Sequence, residues 1–328
     1  MADLLHVTNG ECANENLRAG GIPGDMLSWD DVLHEGPVPA GLDLAELSRV
    51  RADFIAGRGW REHEAARQEF AERNRRLHEG ARSGEVILWC TFELYDQLHL
   101  LQLLDWFHQS PVNPPSIVWV NNYMSHVAPS KLSDLLEGRR QASPQQLRHG
   151  AELWRVFRSA DPTEFGQWAG VGIDNLPFMG TGLLRLAQEY PAHDTGLTRT
   201  QAQILQVLAD APQKPGPLFQ ASSAMEQQAF MGDWSFWCQV EALSAVSEPA
   251  LLGTDGRAFE RPPADGPSPD WARREIELTD FGRAVQAGDT DFLQANVREC
   301  WIGGVQLSPK NDWRWNREQR RFQIGPGP

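Results

Sequence analysis

Paired cysteines, long apolar runs and surplus positive charge are all missing from this sequence, and each absence removes a class of protein. Cys12, Cys90, Cys238 and Cys300 are widely spaced and form no CxxC pair, which argues against a disulfide scaffold or a zinc ribbon. They are expected as thiols. No apolar run reaches the roughly 18 residues of a membrane helix. The start, MADLLHVTNGEC, has neither a basic flank nor a long apolar segment ahead of a cleavage site. A cytoplasmic protein is therefore expected, with no membrane partner. The net charge of −14 opposes broad attraction to nucleic acid or anionic lipid, so nucleic acid is not the expected partner. GxGxxG, HExxH and HxH are absent, no internal repeat occurs, and none of the nine histidines lies beyond His193. Imidazole chemistry is thereby confined to the N-terminal part of the chain.

What is present is ordinary globular composition, 41% hydrophobic and 23% charged over 328 residues, enough for two or three domains. Four short apolar segments, Leu4 to Thr8, Met26 to Trp29, Val86 to Cys90 and Ile117 to Asn121, alternate with helical patterns at 12–19, 43–56, 61–81 and 94–108. Such alternation predicts a largely parallel sheet joined by crossover helices. The fold class expected is thus α/β, with a Rossmann-like domain over 1–142. A helical connector follows over 143–194, opening with a serine cap and Pro144 in SPQQLRHGAELW. A winged-helix-like domain is expected over 195–328: three helices, weak strands near Ala250 to Leu252 and Glu275 to Leu278, and a long mobile loop or wing, DGRAFERPPADGPSPDWA, between them. Trp301, Trp313 and Trp315 point to a C-terminal hairpin whose indoles cover apolar surface.

The stretch LLHVTNGECANEN stands out. It reads as a buried strand that breaks at Asn9-Gly10 into a helix starting near Glu11-Cys12, which places polar groups and free N–H donors at the carboxyl edge of a sheet. Three loops are expected to converge there, with Asn9, Gly10, Glu11 and Cys12 after the first strand. Asp31, His34 and Glu35 follow the second, and Thr91, Glu93 and Asp96 the third. Cys12 in a first helical turn is a candidate nucleophile with His34 as its base, or alternatively a small capping-region residue. His34 and Glu35 are candidates for an acid–base pair or, with His6, for a metal site; His6 inside a strand is equally a satisfied core histidine. Glu93 is a further catalytic candidate, while Glu93 and Asp96 also suit the positive end of a helix dipole. His6, Asn9, Gly10, Glu11, Asp31, Thr91 and Asp96 form the expected ligand-contacting set. No motif names a cofactor.

Several strings resemble the DUF1835 family of bacterial proteins: HVTNGE at 6–11, SWDDVLHEGPVP at 28–39, VILWCTFELYDQLHLLQLLDWF at 86–107, and the terminal WIGGVQL with WRWN. Together they span nearly the whole chain. The resemblance implies the fold but names no reaction. Where this chain has TNGEC and WCTFELYDQ, the family pattern more often reads TNGDS and WFEHDLYDQ. Cys12 thus replaces a serine, Thr91 an acid, Phe92 a histidine and Glu93 an aspartate.

Two function classes follow. One is an enzyme or binder of a polar small molecule at the sheet edge, using acid–base or cysteine chemistry. The other is a ligand-sensing regulator or a non-catalytic interaction protein built on the C-terminal domain, with a homodimer open to either. The segment at the position of a DNA-reading helix, Trp234 to Ala245, contains Glu241 and no Lys or Arg, which disfavours the regulator. Arg314, Arg317, Arg320 and Arg321 are the basic residues left for a phosphate contact or a solvated face.

Overall fold

In the computed structural model, described over residues 3–263 and 266–326, the chain divides into two units. One comprises Met1–Leu184 with Trp301–Val305, the other Arg185–Cys300 with Gln306–Pro328. The fold is mixed α/β, and no helix among the described residues is long and apolar enough to cross a membrane.

The first unit begins with β1 (Asp3–Thr8), α1 (Glu11–Ala19), β2 (Asp25–Ser28), β3 (Gly36–Pro37), α2 (Leu44–Gly57), α3 (His63–Ser83), β4 (Gly84–Thr91) and α4 (Leu94–Gln109). It continues with β5 (Ser116–Val120), α5 (Leu132–Glu137), β6 (Arg140–Gln141), α6 (Pro144–Phe157), α7 (Thr163–Trp168) and α8 (Met179–Ala187). Five strands form one sheet in the order β2-β1-β4-β5-β6, parallel except for β6. The register sets Leu5 beside Asp25 and Val86, and Val7 beside Leu27 and Leu88. Strand periodicity of two then divides the side chains. Ile87, Trp89, Val118 and Val120 share a core with Ala13 and Leu17 of α1. Leu5 and its alternating neighbours face the other way, where α3 and α4 pack on β1 and β4.

Local chemistry sets the boundaries. Asp43 and Glu46 close a capping box on α2, and Ser143 and Gln146 close one on α6, with Pro144 in the first turn as expected. Before β2 the chain turns at Gly24, whose φ of +117° disfavours a side chain and where an added Cβ would lie 2.8 Å from the Leu4 carbonyl oxygen. The stretch 143–194, expected as a connector, lies mostly within this unit. There α6 packs along α4, and a Cβ on Gly150 would sit 2.3 Å from Leu104 Cβ.

The second unit contains α9 (Arg199–Asp210), α10 (Pro215–Ala224), α11 (Asp233–Ser244), β7 (Leu251–Gly253), α12 (Pro269–Arg273), β8 (Ile276–Leu278), α13 (Asp280–Ala287) and α14 (Phe292–Ala295). The chain then passes β9 (Cys300–Gly303) and β10 (Val305–Leu307) to an antiparallel hairpin, β11 (Trp313–Asn316) with β12 (Arg321–Ile324). Both weak strands expected from the sequence are found, paired antiparallel as β7 and β8, and Gln213 bridges Ile276. Leu205, Phe236, Val240, Leu251 and Ile276 meet in one core. The expected mobile loop is better anchored than its Pro and Gly content implied. Phe259 is buried, the Trp271 indole N–H donates to the Glu260 carbonyl, and the Trp271 ring lies 5.1 Å from Trp237. Within that loop Ala264 and Asp265 lie outside the described residues. Trp315 is buried against Phe322, which meets Tyr190, so this indole serves packing. Arg314 is also buried, ion-paired with Asp291 and Asp312, and is not available to a phosphate.

Candidate functional site

The strand order places a reversal at β1: the chain leaves β1 for β2 on one side and returns to β4 on the other. Open α/β sheets bind ligands in the crevice outside such a reversal, at the carboxyl ends of the strands. Here β1 ends at Thr8 and leads into Asn9 and Gly10, and β4 ends at Thr91 and leads into Phe92 and Glu93 before α4 begins. Asn9, Cys90, Asp96 and His99 line a narrow crevice between them of about 10 Å³, the size of a single water, and Glu93 stands outside its lining. Two of the three expected loops are thus brought together.

On the β4 side the geometry is tight. The Thr91 backbone N–H donates to Asp96 Oδ2 at 2.7 Å, the Thr91 hydroxyl donates to Glu93 Oε2 at 3.0 Å, and the Gln97 amide donates to the Thr91 carbonyl at 2.6 Å. Asp96 is 3% exposed and its Oδ1 has no hydrogen-bond donor among the described residues. The Asn9 side chain lies close enough to favour the ionised carboxylate without completing a bond to Oδ1. Burial nevertheless dominates and pushes Asp96 up to about 6. Glu93 is half-buried; desolvation, then the neighbouring Asp96 charge, push it up to about 7 against the Thr91 hydrogen bond. Both acids sit at the start of α4, Glu93 at the N-cap position and Asp96 in the first turn, where a structural role facing the helix dipole is expected, and burial lifts both carboxyls toward neutrality.

His99, one turn further, is buried and pushed down to about 4 by desolvation. Its Nε2 meets the Asp31 carbonyl at 2.7 Å. A carbonyl only accepts, so Nε2 carries the proton and Nδ1 presents a lone pair, which has no donor among the described residues. The Cys90 thiol beside them is raised well above its ordinary value by burial and is a packing group rather than a nucleophile.

The loop after β2 is used differently from the expectation. Asp31 is buried and spent in a pair with Arg51, which donates to Oδ1 from Nη2 at 2.7 Å and from Nε at 2.9 Å and to Oδ2 from Nε at 3.2 Å, so it does not face a ligand. Arg51 also donates to the carbonyls of Val32, Glu35 and Pro37 and holds the loop shut. His34 is buried 3.8 Å from Glu35 and beside Tyr95, while Glu35 pairs with Arg58. The expected Cys12–His34 partnership is not formed. Cys12 is exposed on α1, on one face of the sheet, whereas His34 packs with Tyr95 of α4 on the other. The same opposition separates Cys12 from Cys90. In a native-state thiol titration of a Cys300→Ser background Cys12 is expected to react at once and Cys90 only after denaturation; a fast phase that survives Cys12→Ser in that background would contradict this placement.

His6 is the satisfied core histidine. It accepts from the Trp89 indole N–H at Nδ1, 3.0 Å away, and donates from Nε2 to the Pro23 carbonyl at 2.9 Å. Both nitrogens are engaged, so the set His6, His34 and Glu35 does not converge on a metal. Among the described residues no group of three His, Cys, Asp or Glu side chains is arranged to hold one.

A second, roomier feature adjoins this edge. Between α1, the carboxyl end of β2 and α3 lies a polar cleft of about 390 Å³, within the size range of metabolite sites. Thr8 donates to Asn14, and the Asn14 amide donates to Ser28 at 2.8 Å and to Glu11 at 3.2 Å. Glu11 is exposed and paired with Arg18. Gly10 leaves room for Asp30, whose Oδ1 would lie 3.1 Å from a Cβ added there. Asp30 has a solvent-exposed side yet is crowded enough that desolvation raises its carboxyl. Arg73 is 5% exposed, stacked between the rings of Trp29 at 4.0 Å and Phe70 at 4.3 Å. Its hydrogen bonds, to the Asp30 carbonyl and the Ser48 hydroxyl, are long at 3.4 Å, and Nε has no acceptor. Desolvation brings it down to about 10. Two cation–π contacts return about 1–4 kcal/mol, against a desolvation cost of several kcal/mol for a buried ion. Sequence reading passed over Asp30, Arg73 and the neighbouring Arg76.

The chain matches no protein-family model and no curated protein, so its function has to be read from this geometry.

Proposed function

We propose that the protein binds a small polar metabolite at the carboxyl edge of a Rossmann-like sheet and acts on it by acid–base chemistry. The observation that carries the reading is the pair Glu93 and Asp96, two carboxyls drawn toward neutrality beside Asn9 where the strand order reverses. Glu93, half-buried at the loop tip, is the group that exchanges a proton with the ligand. Near neutral pH it is populated in both forms, which is what a general acid–base needs. Thr91 orients it, and Asp96, fixed by the Thr91 N–H, is a positioning residue whose charge sustains its raised proton affinity. Cysteine chemistry is set aside on the placement of Cys12 and Cys90. The resemblance to the DUF1835 family is carried in part by the strings at 6–11 and 86–107, which meet at this crevice, and it supports the same location.

We read the second unit as winged-helix-like, from the order of three helices, bridging Gln213, and the β7–β8 pair. Asp233 and Glu241 on α11, with no cation on that helix, favour packing or dimerisation over duplex binding.

The test is a metabolite library scanned by NMR for turnover. Glu93→Gln is expected to slow the reaction about 10²–10⁴-fold and to abolish a break in the pH–rate profile near 7, whereas Cys12→Ser leaves the rate unchanged. Wild-type turnover by a folded Glu93→Gln protein would sink the reading.

A further inference from the structure

The cleft between α1, β2 and α3 holds charges that the protein itself does not balance. Four arginines and four acids line it, and most cancel locally. Glu11 pairs with Arg18, Glu69 with Arg61, and Glu72 with Arg75, which lies outside the cleft and is shared with Glu79. What remains is Arg73, Arg76 and Asp30. Arg73 is buried with an acceptor-free Nε. Arg76, one helical turn on, donates only to the Met26 carbonyl, at 2.9 Å, and makes no ion pair among the described residues. Asp30 forms no hydrogen bond or ion pair through its carboxyl among the described residues; desolvation raises it, with Arg61 and Arg73 acting against the rise and Glu69 and Glu11 adding to it.

We propose that this cleft is a binding site for a sugar phosphate. Its phosphoryl group takes the two uncancelled guanidinium groups of α3, and a hydroxyl of the sugar donates to Asp30. Guanidinium forks match phosphoryl oxygens, and a phosphoryl group offers two arginines more acceptor oxygens than a carboxylate does. A bare anion does not explain Asp30, which would repel it. A carboxylate with no donor of its own is instead the acceptor expected for a polyol, and Ser28 and Asn14 extend the same polar wall. The volume, about 390 Å³, accommodates a pentose-sized body beside the phosphoryl group. This site concerns binding alone and does not depend on the acid–base reading of Glu93.

Isothermal titration of the full chain with ribose 5-phosphate, ribose and inorganic phosphate tests the proposal. Ribose 5-phosphate is expected to bind saturably in the millimolar range or below, more tightly than either fragment. Arg76→Gln should weaken both ribose 5-phosphate and phosphate by at least about tenfold, because a charge-assisted bond is lost. Asp30→Asn should weaken ribose 5-phosphate by a similar factor while leaving phosphate unchanged or tighter. Both residues keep solvent contact, and unchanged melting curves confirm folded variants. Absence of saturable binding by ribose 5-phosphate, equal binding of ribose and its phosphate, or indifference of folded Arg76→Gln and Asp30→Asn would each overturn it.

Discussion

Arg51→Ala is expected to destabilise the first unit by about 3–5 kcal/mol, the cost of removing one partner from a buried ion pair. Arg51 is fully buried, and its guanidinium is shared among both oxygens of Asp31 and the carbonyls of Val32, Glu35 and Pro37. Truncation leaves a carboxylate without its counter-ion and three acceptors without donors in a space water does not reach. For a unit of this size that corresponds to a fall in melting temperature of roughly 10 °C or more. Urea denaturation should show a lower midpoint at unchanged slope. In an Arg51→Met background, Asp31→Asn should recover part of the loss, since the stranded charge is then gone. A melting temperature within a couple of degrees of wild type would mean that the loop 31–37 is held by something else.

That ion pair also explains why part of the site was hidden in the sequence. Hydrophobic alternation and strand-to-helix breaks are local properties, so the four parallel strands and the polar ends of β1 and β4 were legible: Asn9, Thr91, Glu93 and Asp96 lie where periodicity put them. The loop after β2 was not. Successive side chains in an extended chain point in opposite directions, so Asp30 and Asp31 have different fates, one into the cleft and one onto Arg51, and nothing local distinguishes them. His34 and Glu35 looked catalytic because an isolated His-Glu pair in a loop usually faces solvent, yet Arg51 and Arg58 fold that loop inward. Arg73 sits in ERNRRLHEG, a run with the composition of a solvated helix face. Only the three-dimensional placement of Trp29 and Phe70 shows that it is buried. The short strands β3 and β6, two residues each, carry no periodicity to read.

Asp96→Asn is expected to make the protein more stable at pH 8 and to flatten part of its pH dependence. Burial raises Asp96 from 3.8 to about 6, and Glu93 from 4.5 to about 7. The folded state therefore holds these protons more tightly than the unfolded chain. Below about pH 4 both states are protonated and the sites cost nothing. As pH rises from about 4 to 7 the folded state must ionise buried carboxyls, so stability contributed here falls, and above about 7 the full penalty stands. At 1.36 kcal/mol per unit, each carboxyl costs up to about 3 kcal/mol, and because Asp96 contributes to the rise in Glu93 the two costs are not independent. An asparagine Oδ1 keeps the bond from the Thr91 N–H while removing the charge, so the variant should gain about 2 kcal/mol at pH 8 and nothing at pH 4. Other carboxylates, paired with arginines, contribute the opposite slope at low pH, so the decisive quantity is the difference between wild type and variant measured by urea denaturation at each pH. A difference that stays flat from pH 4 to 8 would show that Asp96 is not strained in the native state. A difference that grows with pH, in a variant that also loses turnover, would mean that stability is sacrificed at this crevice to keep two carboxyls near neutrality.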